Sequence, residues 1–170
     1  DQKAPTRSSR SNIGTYLGIF DEIRKMFGNS DRAKALGLSP SSFSFNVSKG
    51  RCETCKGLGE RLEDLSFLGE VKVVCESCDG KRFTDKVLEV TVRRHNLFQL
   101  LKTTVSEVGR IFFDHPKIVA MVREVEAVGL GYLCLGQHTS SYSGGEIQRL
   151  KLLSYLRSHK AVEPHVLIFD

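Results

Sequence analysis

The sequence predicts an α+β fold, mainly helical with a small inserted β module, and three observations carry that expectation. Two CxxC pairs bracket a stretch that reads as a β-hairpin. Apolar residues recur at helical spacing on both sides of it. Capping-box spacings at Thr104/Glu107 and Ser143/Glu146 mark helix starts in the second half. The chain has 170 residues, 40% hydrophobic and 26% charged, which excludes wholesale disorder and fits one compact domain or a domain carrying an insert. No apolar run approaches the roughly 18–20 residues that a membrane span needs.

Taken in order, residues 16–27 place Tyr16, Ile19, Phe20, Ile23 and Phe27 on one helical stripe, which Gly28-Asn29 stops. Ser39-Pro40-Ser41-Ser42 reads as a turn leading into Phe43-Ser44-Phe45-Asn46-Val47, which alternates as a strand does. Leu68-Gly69-Glu70 reads as a hairpin tip with Val71–Val74 as the return strand. Residues 87–92 alternate again, with Leu88, Val90 and Val92 on one side. Thr104 opens a helix carrying Val108, Ile111 and Phe112. Asp114-His115-Pro116 starts another, with Ile118, Val122 and Val125 inward and Gly129 at its end. The expected organisation is a helical entry segment over 1–48, a cysteine module over 49–86, and a helical domain over 87–170.

The cysteines carry the strongest chemistry. Cys52-Glu53-Thr54-Cys55 and Cys75-Glu76-Ser77-Cys78 each place two sulfurs on one side of a tight loop. Together they supply the four thiolates that structural Zn²⁺ prefers. Gly57 and Gly80 follow each pair by two residues, where a left-handed backbone aims amides at the sulfurs. A redox CxxC would occur once, and disulfide frameworks belong to small secreted chains, so a closed structural zinc site is the expectation. Cys134, in an apolar context, reads as a buried small hydrophobe.

Net charge is +5, but residues 49–86 hold eight basic and eight acidic side chains, so the cysteine module has no net positive field of its own. In Tyr142-Ser143-Gly144-Gly145-Glu146-Ile147-Gln148-Arg149-Leu150, Ser143 is placed to cap a helix whose first turn the two glycines leave bare. Such a turn offers backbone N–H groups to an anion, or is a plain softened cap; spacing alone leaves both open.

These residues resemble a known family. Ser143-Gly144-Gly145-Glu146 followed by Gln148-Arg149 resembles the signature motif of ABC-type ATPases, and Val166-Leu167-Ile168-Phe169-Asp170 looks like a Walker B strand. Asp1-Gln2 resembles the Q-loop. Phe43 to Val47, Gly50-Arg51-Cys52-Glu53 with Cys55, Gly57 and Gly59, then Gly80-Lys81-Arg82 after the second pair, are similar to the UvrA branch. So is the stretch from Val128 to Gln137, and the likeness covers essentially the whole chain, suiting the C-terminal nucleotide-binding half.

The resemblance implies a piece of the damage-sensing ATPase of bacterial nucleotide excision repair, an excinuclease subunit of the SOS response. In that family the signature contacts ATP held by the opposing half, so Ser143, Gly144, Gly145 and Glu146 would complete a site elsewhere. Gln2 and Asp170 would edge the chain's own site, Asp170 through Mg²⁺. No Gly-x4-Gly-Lys-Ser/Thr occurs, so the segment alone is expected not to hydrolyse ATP. The zinc module would help discriminate damaged double-stranded DNA, with Arg51, Lys81 and Arg82 as candidate phosphate contacts, each also readable as an ordinary surface charge. A UvrB-type helicase partner, a homodimeric parent and a cytoplasmic location are implied in the same way. The residue Tyr142 stands where the family usually has Leu, and Ile147 where it has a small residue. A UvrA-like ATPase of drug self-resistance and a zinc-stabilised interaction module are the alternatives. A DnaJ-type chaperone would need four CxxCxGxG repeats, and this chain has two CxxC pairs. Asp1 to Pro5 shows neither a starting Met nor a secretory leader, so a segment of a longer protein is expected.

Overall fold

The computed structural model describes residues 10–67 and 69–158. The chain divides into two compact units: residues up to Ile19 with those from Lys102 onward, and Phe20–Leu101.

In the first unit, α1 (Ile13–Leu17) starts on Asn12, whose Oδ1 accepts the Thr15 N–H at 2.8 Å. It ends on Gly18 at φ +81, so the single stripe expected over 16–27 is two helices, with α2 spanning Ile19–Asn29. A left-handed residue cannot continue an α-helix, and Gly adopts it without a Cβ penalty. The later helices α6 (Val105–Ile111), α7 (Pro116–Ala127) and α8 (Gly144–Ser158) belong to this unit. The expected capping box opens α6: the Glu107 N–H donates to Thr104 Oγ1 at 3.2 Å, and the Thr104 N–H to Glu107 Oε2 at 3.0 Å. The inward residues of α7 are Ile118, Val122 and Val125, all buried as their spacing predicts, and Gly129 turns the chain out at φ +70. Arg157, near the end of α8, donates to the Leu17 carbonyl at 3.3 Å and pairs with Glu124 at 3.0 Å.

The second unit holds most of α2, then α3 (Asp31–Ala35), β1 (Glu60–Leu65), β2 (Gly69–Val74), α4 (Asp85–Leu88), β3 (Thr91–Val92), β4 (His95–Asn96) and most of α5 (Leu97–Lys102). Its core is aromatic. Phe20 meets Phe45 and Phe27 meets Phe43, each with ring centroids 5.3 Å apart, and Phe45 meets Phe83 at 6.4 Å. The α2 stripe is thereby clamped to the segment just before the cysteine pairs, and that segment in turn meets the one just after them.

Two expected strands are not strands. Residues 40–43 form a short 3-10 turn, and 45–50 continue in turns. The two phenylalanines alternate because each anchors a turn to α2, and no neighbouring strand exists there to extend a ladder. Residues 85–88 form α4, and only Thr91–Val92 is extended; the burial of Val87 and Val90 follows a helical turn and its exit. The hairpin, by contrast, is where it was expected: β1 and β2 pair antiparallel from Glu60↔Val74 to Leu65↔Gly69. Cys134 is half-buried rather than buried, on a bridge to Thr104. Among the described residues, no helix is long and apolar enough to cross a membrane.

Candidate metal centre and signature helix

The β1–β2 hairpin has no sheet beneath it. Leu62 is 60% exposed, Val74 65% and Phe67, near the tip, 87%. An isolated two-stranded ribbon is marginal in water, so its order must come from the base. There the chain makes two knuckles. In the first, the Gly57 N–H bonds the Cys52 carbonyl at 3.1 Å, and the Gly59 N–H points to Cys55 Sγ at 3.2 Å. In the second, the Gly80 N–H bonds the Cys75 carbonyl at 3.2 Å. They are stitched together by Cys75 N–H to Gly59 O at 3.0 Å and Cys52 N–H to Arg82 O at 2.8 Å.

This brings Cys52, Cys55, Cys75 and Cys78 into one buried cluster whose sulfurs all lie within 4.8 Å of one another. Cys52 and Cys75 sulfurs are 4.0 Å apart, those of Cys55 and Cys78 3.8 Å, and no disulfide joins them. Four sulfurs at the corners of a tetrahedron about 2.3 Å from a zinc ion stand about 3.8 Å apart, so the donor set and its spacing fit that metal. The thiols titrate unevenly. Burial pushes Cys78 up to about 12 despite the Arg82 amide, and it raises Cys55 as well. At Cys52 burial is outweighed by hydrogen bonds from the Cys55 and Thr54 amides, which bring it down to about 7. Four neighbouring thiolates repel one another, and a divalent cation is what would allow all four to ionise. All four corners would be protein sulfur, leaving no place for a catalytic water.

The three candidate phosphate contacts sit differently. Arg51 keeps a side chain only 17% exposed, near Glu53 at 3.4 Å and the Asn46 carbonyl at 3.5 Å. Lys81 is more open and pairs with Asp79 at 3.3 Å. Arg82 turns inward: burial holds its guanidinium below the usual arginine range, while Glu60, Cys55 and Cys78 draw the other way. Its side chain covers Gly59, where an added Cβ would stand 3.0 Å from Arg82 Cγ.

At the other motif, Ser143 and Glu146 cap each other: the Glu146 N–H donates to Ser143 Oγ at 3.3 Å and the Ser143 N–H to Glu146 Oε2 at 2.6 Å. Gly144 and Gly145 are exposed, with nothing within 4 Å of where a Cβ would sit. A groove of about 330 Å³ runs along this side of α8, lined by Gly145, Gln148, Arg149 and Leu152. Tyr142 is buried and donates to the Gln137 carbonyl at 3.2 Å, so the ring packs where an aliphatic residue is usual. Ile147 is half-buried.

Sequence reasoning missed the group that braces this turn. The Tyr132 hydroxyl donates to Glu146 Oε1 at 2.6 Å, and Arg149 reaches the Gly129 carbonyl at 2.9 Å and the Tyr132 oxygen at 3.3 Å. The Glu146 carboxyl is held below its ordinary range, first by the Tyr132 hydroxyl and then by the Ser143 N–H. Tyr132 is fourteen positions from Glu146, beyond any local spacing rule. Gln2 and Asp170 lie outside the described residues.

No family model matches the chain. Proteins named UvrABC system protein A from Staphylococcus aureus and Staphylococcus epidermidis are each 46% identical to it over 156 residues, 92% of this chain and 16% of theirs. The crystal structure of UvrA2 from Deinococcus radiodurans superposes with a TM-score of 0.85 at 44% identity, covering 93% of this chain and 19% of that one. The chain thus spans about a sixth of the length of the curated relatives it matches. Over nearly all of its own length it is homologous to UvrABC system protein A, and it belongs to that family.

Proposed function

We propose that this chain is the signature and zinc-module segment of a UvrA-type ATPase that recognises damaged DNA in nucleotide excision repair. The observation that carries the reading is the start of α8, where the capped turn has two glycines facing open space within a chain 46% identical to UvrABC system protein A. Backbone amides at a helix start, helped by the helix dipole, suit a terminal phosphate. Ser143, Gly144 and Gly145 would present that turn to an ATP held by the other nucleotide-binding half, with Glu146 fixing its shape. Gln2 and Asp170 would border a second site, and Mg²⁺ would be held by Asp170.

The four cysteines would hold zinc as a structural ion, fastening the hairpin to the aromatic core. Arg51, Lys81 and Arg82 flank the knuckles as DNA-contact candidates; Lys81 is the most open for that role, and Arg82 has the thiolates beside it. Duplex would be tested for deformability rather than read base by base. A UvrB-type helicase, a homodimeric parent and the cytoplasm complete the reading by homology.

The decisive test uses a full-length protein carrying this segment. In Gly145→Ala the new methyl meets no neighbour and helix propensity improves by about 0.5–1 kcal/mol, so Tm is kept or raised. The methyl nevertheless occupies the space a phosphate would need, and ATPase turnover should fall by about a hundredfold, the scale set by losing contact with one oxyanion-hole donor. Unchanged turnover would refute the signature role. In parallel, anisotropy at fixed salt should show tighter binding to a lesion-bearing duplex than to its undamaged twin, a preference lost in Cys78→Ala. Equal affinities of the wild type for both duplexes would remove damage recognition.

A further inference from the structure

The compact unit that runs from Lys102 onward contains both the start of α8 and the loop that follows α7. That loop has little freedom. Gly129 turns it out of α7 at φ +70, and the Leu130 N–H bonds the Val125 carbonyl at 3.0 Å. The Ser106 and Val105 N–H groups donate to the Gly131 and Leu133 carbonyls, each at 3.0 Å, and the Leu130 and Leu133 side chains are buried. Gly131 is packed so closely that a Cβ there would stand 2.3 Å from Ser106 Oγ, itself held on Glu126 at 2.6 Å. Tyr132 sits between these anchors, yet its own side chain is 56% exposed. Its ring adds little to the core, so the reason for a tyrosine here lies in its hydroxyl.

That hydroxyl is committed in direction. Arg149 approaches its oxygen at 3.3 Å and can only donate, while the ionised Glu146 can only accept. The phenol proton therefore lies toward Glu146 Oε1, 2.6 Å away, and the carboxylate holds the phenol above its ordinary range, which keeps the proton there. Glu146 is thus gripped at both oxygens, Oε1 by the loop after α7 and Oε2 by the Ser143 N–H. The turn it caps needs such a hold. Two consecutive glycines make it the softest turn of α8, and the first N–H groups of a helix have no intrahelical partner. With the Glu146 N–H on Ser143 Oγ, those of Gly144 and Gly145 remain for an anion.

We propose that Tyr132 is a positioning residue for ATP hydrolysis: its hydroxyl fixes Glu146, and Glu146 fixes the turn that presents the Gly144 and Gly145 amides. The inference rests on the reading of this turn as an ABC signature. The loop after α7 then serves as a rigid abutment, and the glycines stay bare for the phosphate without being left loose. Preorganised donors cost no rearrangement when charge develops on the transferring group, so the hydroxyl acts on turnover.

The test is Tyr132→Phe in the full-length protein. It removes an exposed hydroxyl and keeps the ring, so Tm should stay near the wild-type value. The kcat for ATP should fall about tenfold, short of the roughly hundredfold that a misplacement of about 1 Å costs. KM should stay within about twofold, since the lost interaction counts in the transition state. In Glu146→Ala the Ser143 hydroxyl still caps the backbone N–H at position 146, so the helix start survives. Adding Tyr132→Phe to that variant should lower kcat no further, because the group through which the hydroxyl acts has gone. Unchanged kcat in Tyr132→Phe overturns the positioning role, and the signature reading stands if Gly145→Ala still loses turnover. Wild-type turnover in Gly145→Ala removes the signature reading and the role of Tyr132 with it. A fall that recurs in full on the Glu146→Ala background assigns the loss to another route or to a weakened fold, and also overturns the proposal.

Discussion

Replacing Gly57 with alanine tests whether the metal centre depends on its backbone as much as on its sulfurs. Gly57 has φ +82, a conformation that costs an L-residue about 1–2 kcal/mol. Its Cβ would stand 2.2 Å from the Phe45 carbonyl oxygen. Phe45 cannot retreat, being 3% exposed and packed between Phe20 and Phe83. The knuckle must move instead, and with it the bonds from Gly57 N–H to the Cys52 carbonyl and from Gly59 N–H to Cys55 Sγ. Losing both at about 1 kcal/mol each brings the total to about 3–4 kcal/mol. Since metal binding and folding of such a module are one equilibrium, zinc affinity should fall by about two to three orders of magnitude. Gly37→Ala is the control: its φ is +64 but nothing lies within 4 Å of the added carbon. It should carry the strain alone, about 1–2 kcal/mol, and so weaken zinc binding by about one order of magnitude at most. Competition titration of zinc against a chromophoric chelator, with melts of the same 170-residue chain, measures both quantities. Zinc affinity of Gly57→Ala within about threefold of the wild type would refute the argument, because less than 1 kcal/mol would then separate them.

Three further outcomes are expected. Arg82→Gln should weaken zinc binding by removing a cation beside the thiolates, and Arg82→Lys should recover much of it; equal affinity in all three proteins would assign Arg82 elsewhere. Ser143→Ala should cost about 1 kcal/mol and Ser143→Gly only a few tenths, read as a Tm difference of about 2–4 °C, because the hydroxyl caps the Glu146 N–H. The Glu107 carboxyl is held below its ordinary range by the Thr104 hydroxyl and N–H, so its contribution is present above the unfolded value of about 4.3 and lost as pH falls through the lower folded value. The Tm gap between wild type and Glu107→Gln should therefore be full at neutral pH and close in acid; a gap constant from about pH 7 to pH 3 would contradict that linkage.

What the sequence disclosed depended on how local the determining contacts are. The CxxC spacing, the capping boxes at Thr104 and Ser143, and the α7 stripe are set within a few residues, and each appears as read. Phe43 and Phe45 misled because period-two alternation also arises when two rings anchor one turn to a helix across a cluster that no local window contains. Leu88, Val90 and Val92 misled similarly, since the end of a four-residue helix and its exit into a two-residue strand mimic alternation. Gly18 was the visible signal for the break between α1 and α2, overridden by the continuity of the stripe. Tyr132 on Glu146 and Arg82 over Gly59 are meetings of distant segments, and a single sequence does not announce them.

The hairpin fastened only at its knuckles has a mechanical consequence. Six residues of β1 make a ribbon about 20 Å long, anchored at one end with much of its surface in solvent. It is a cantilever. Turning its root by about 10° carries its far end sideways by about 3.5 Å, close to the spacing of successive base pairs. Phe67 would amplify small displacements of the knuckles into a movement on the scale of one nucleotide step.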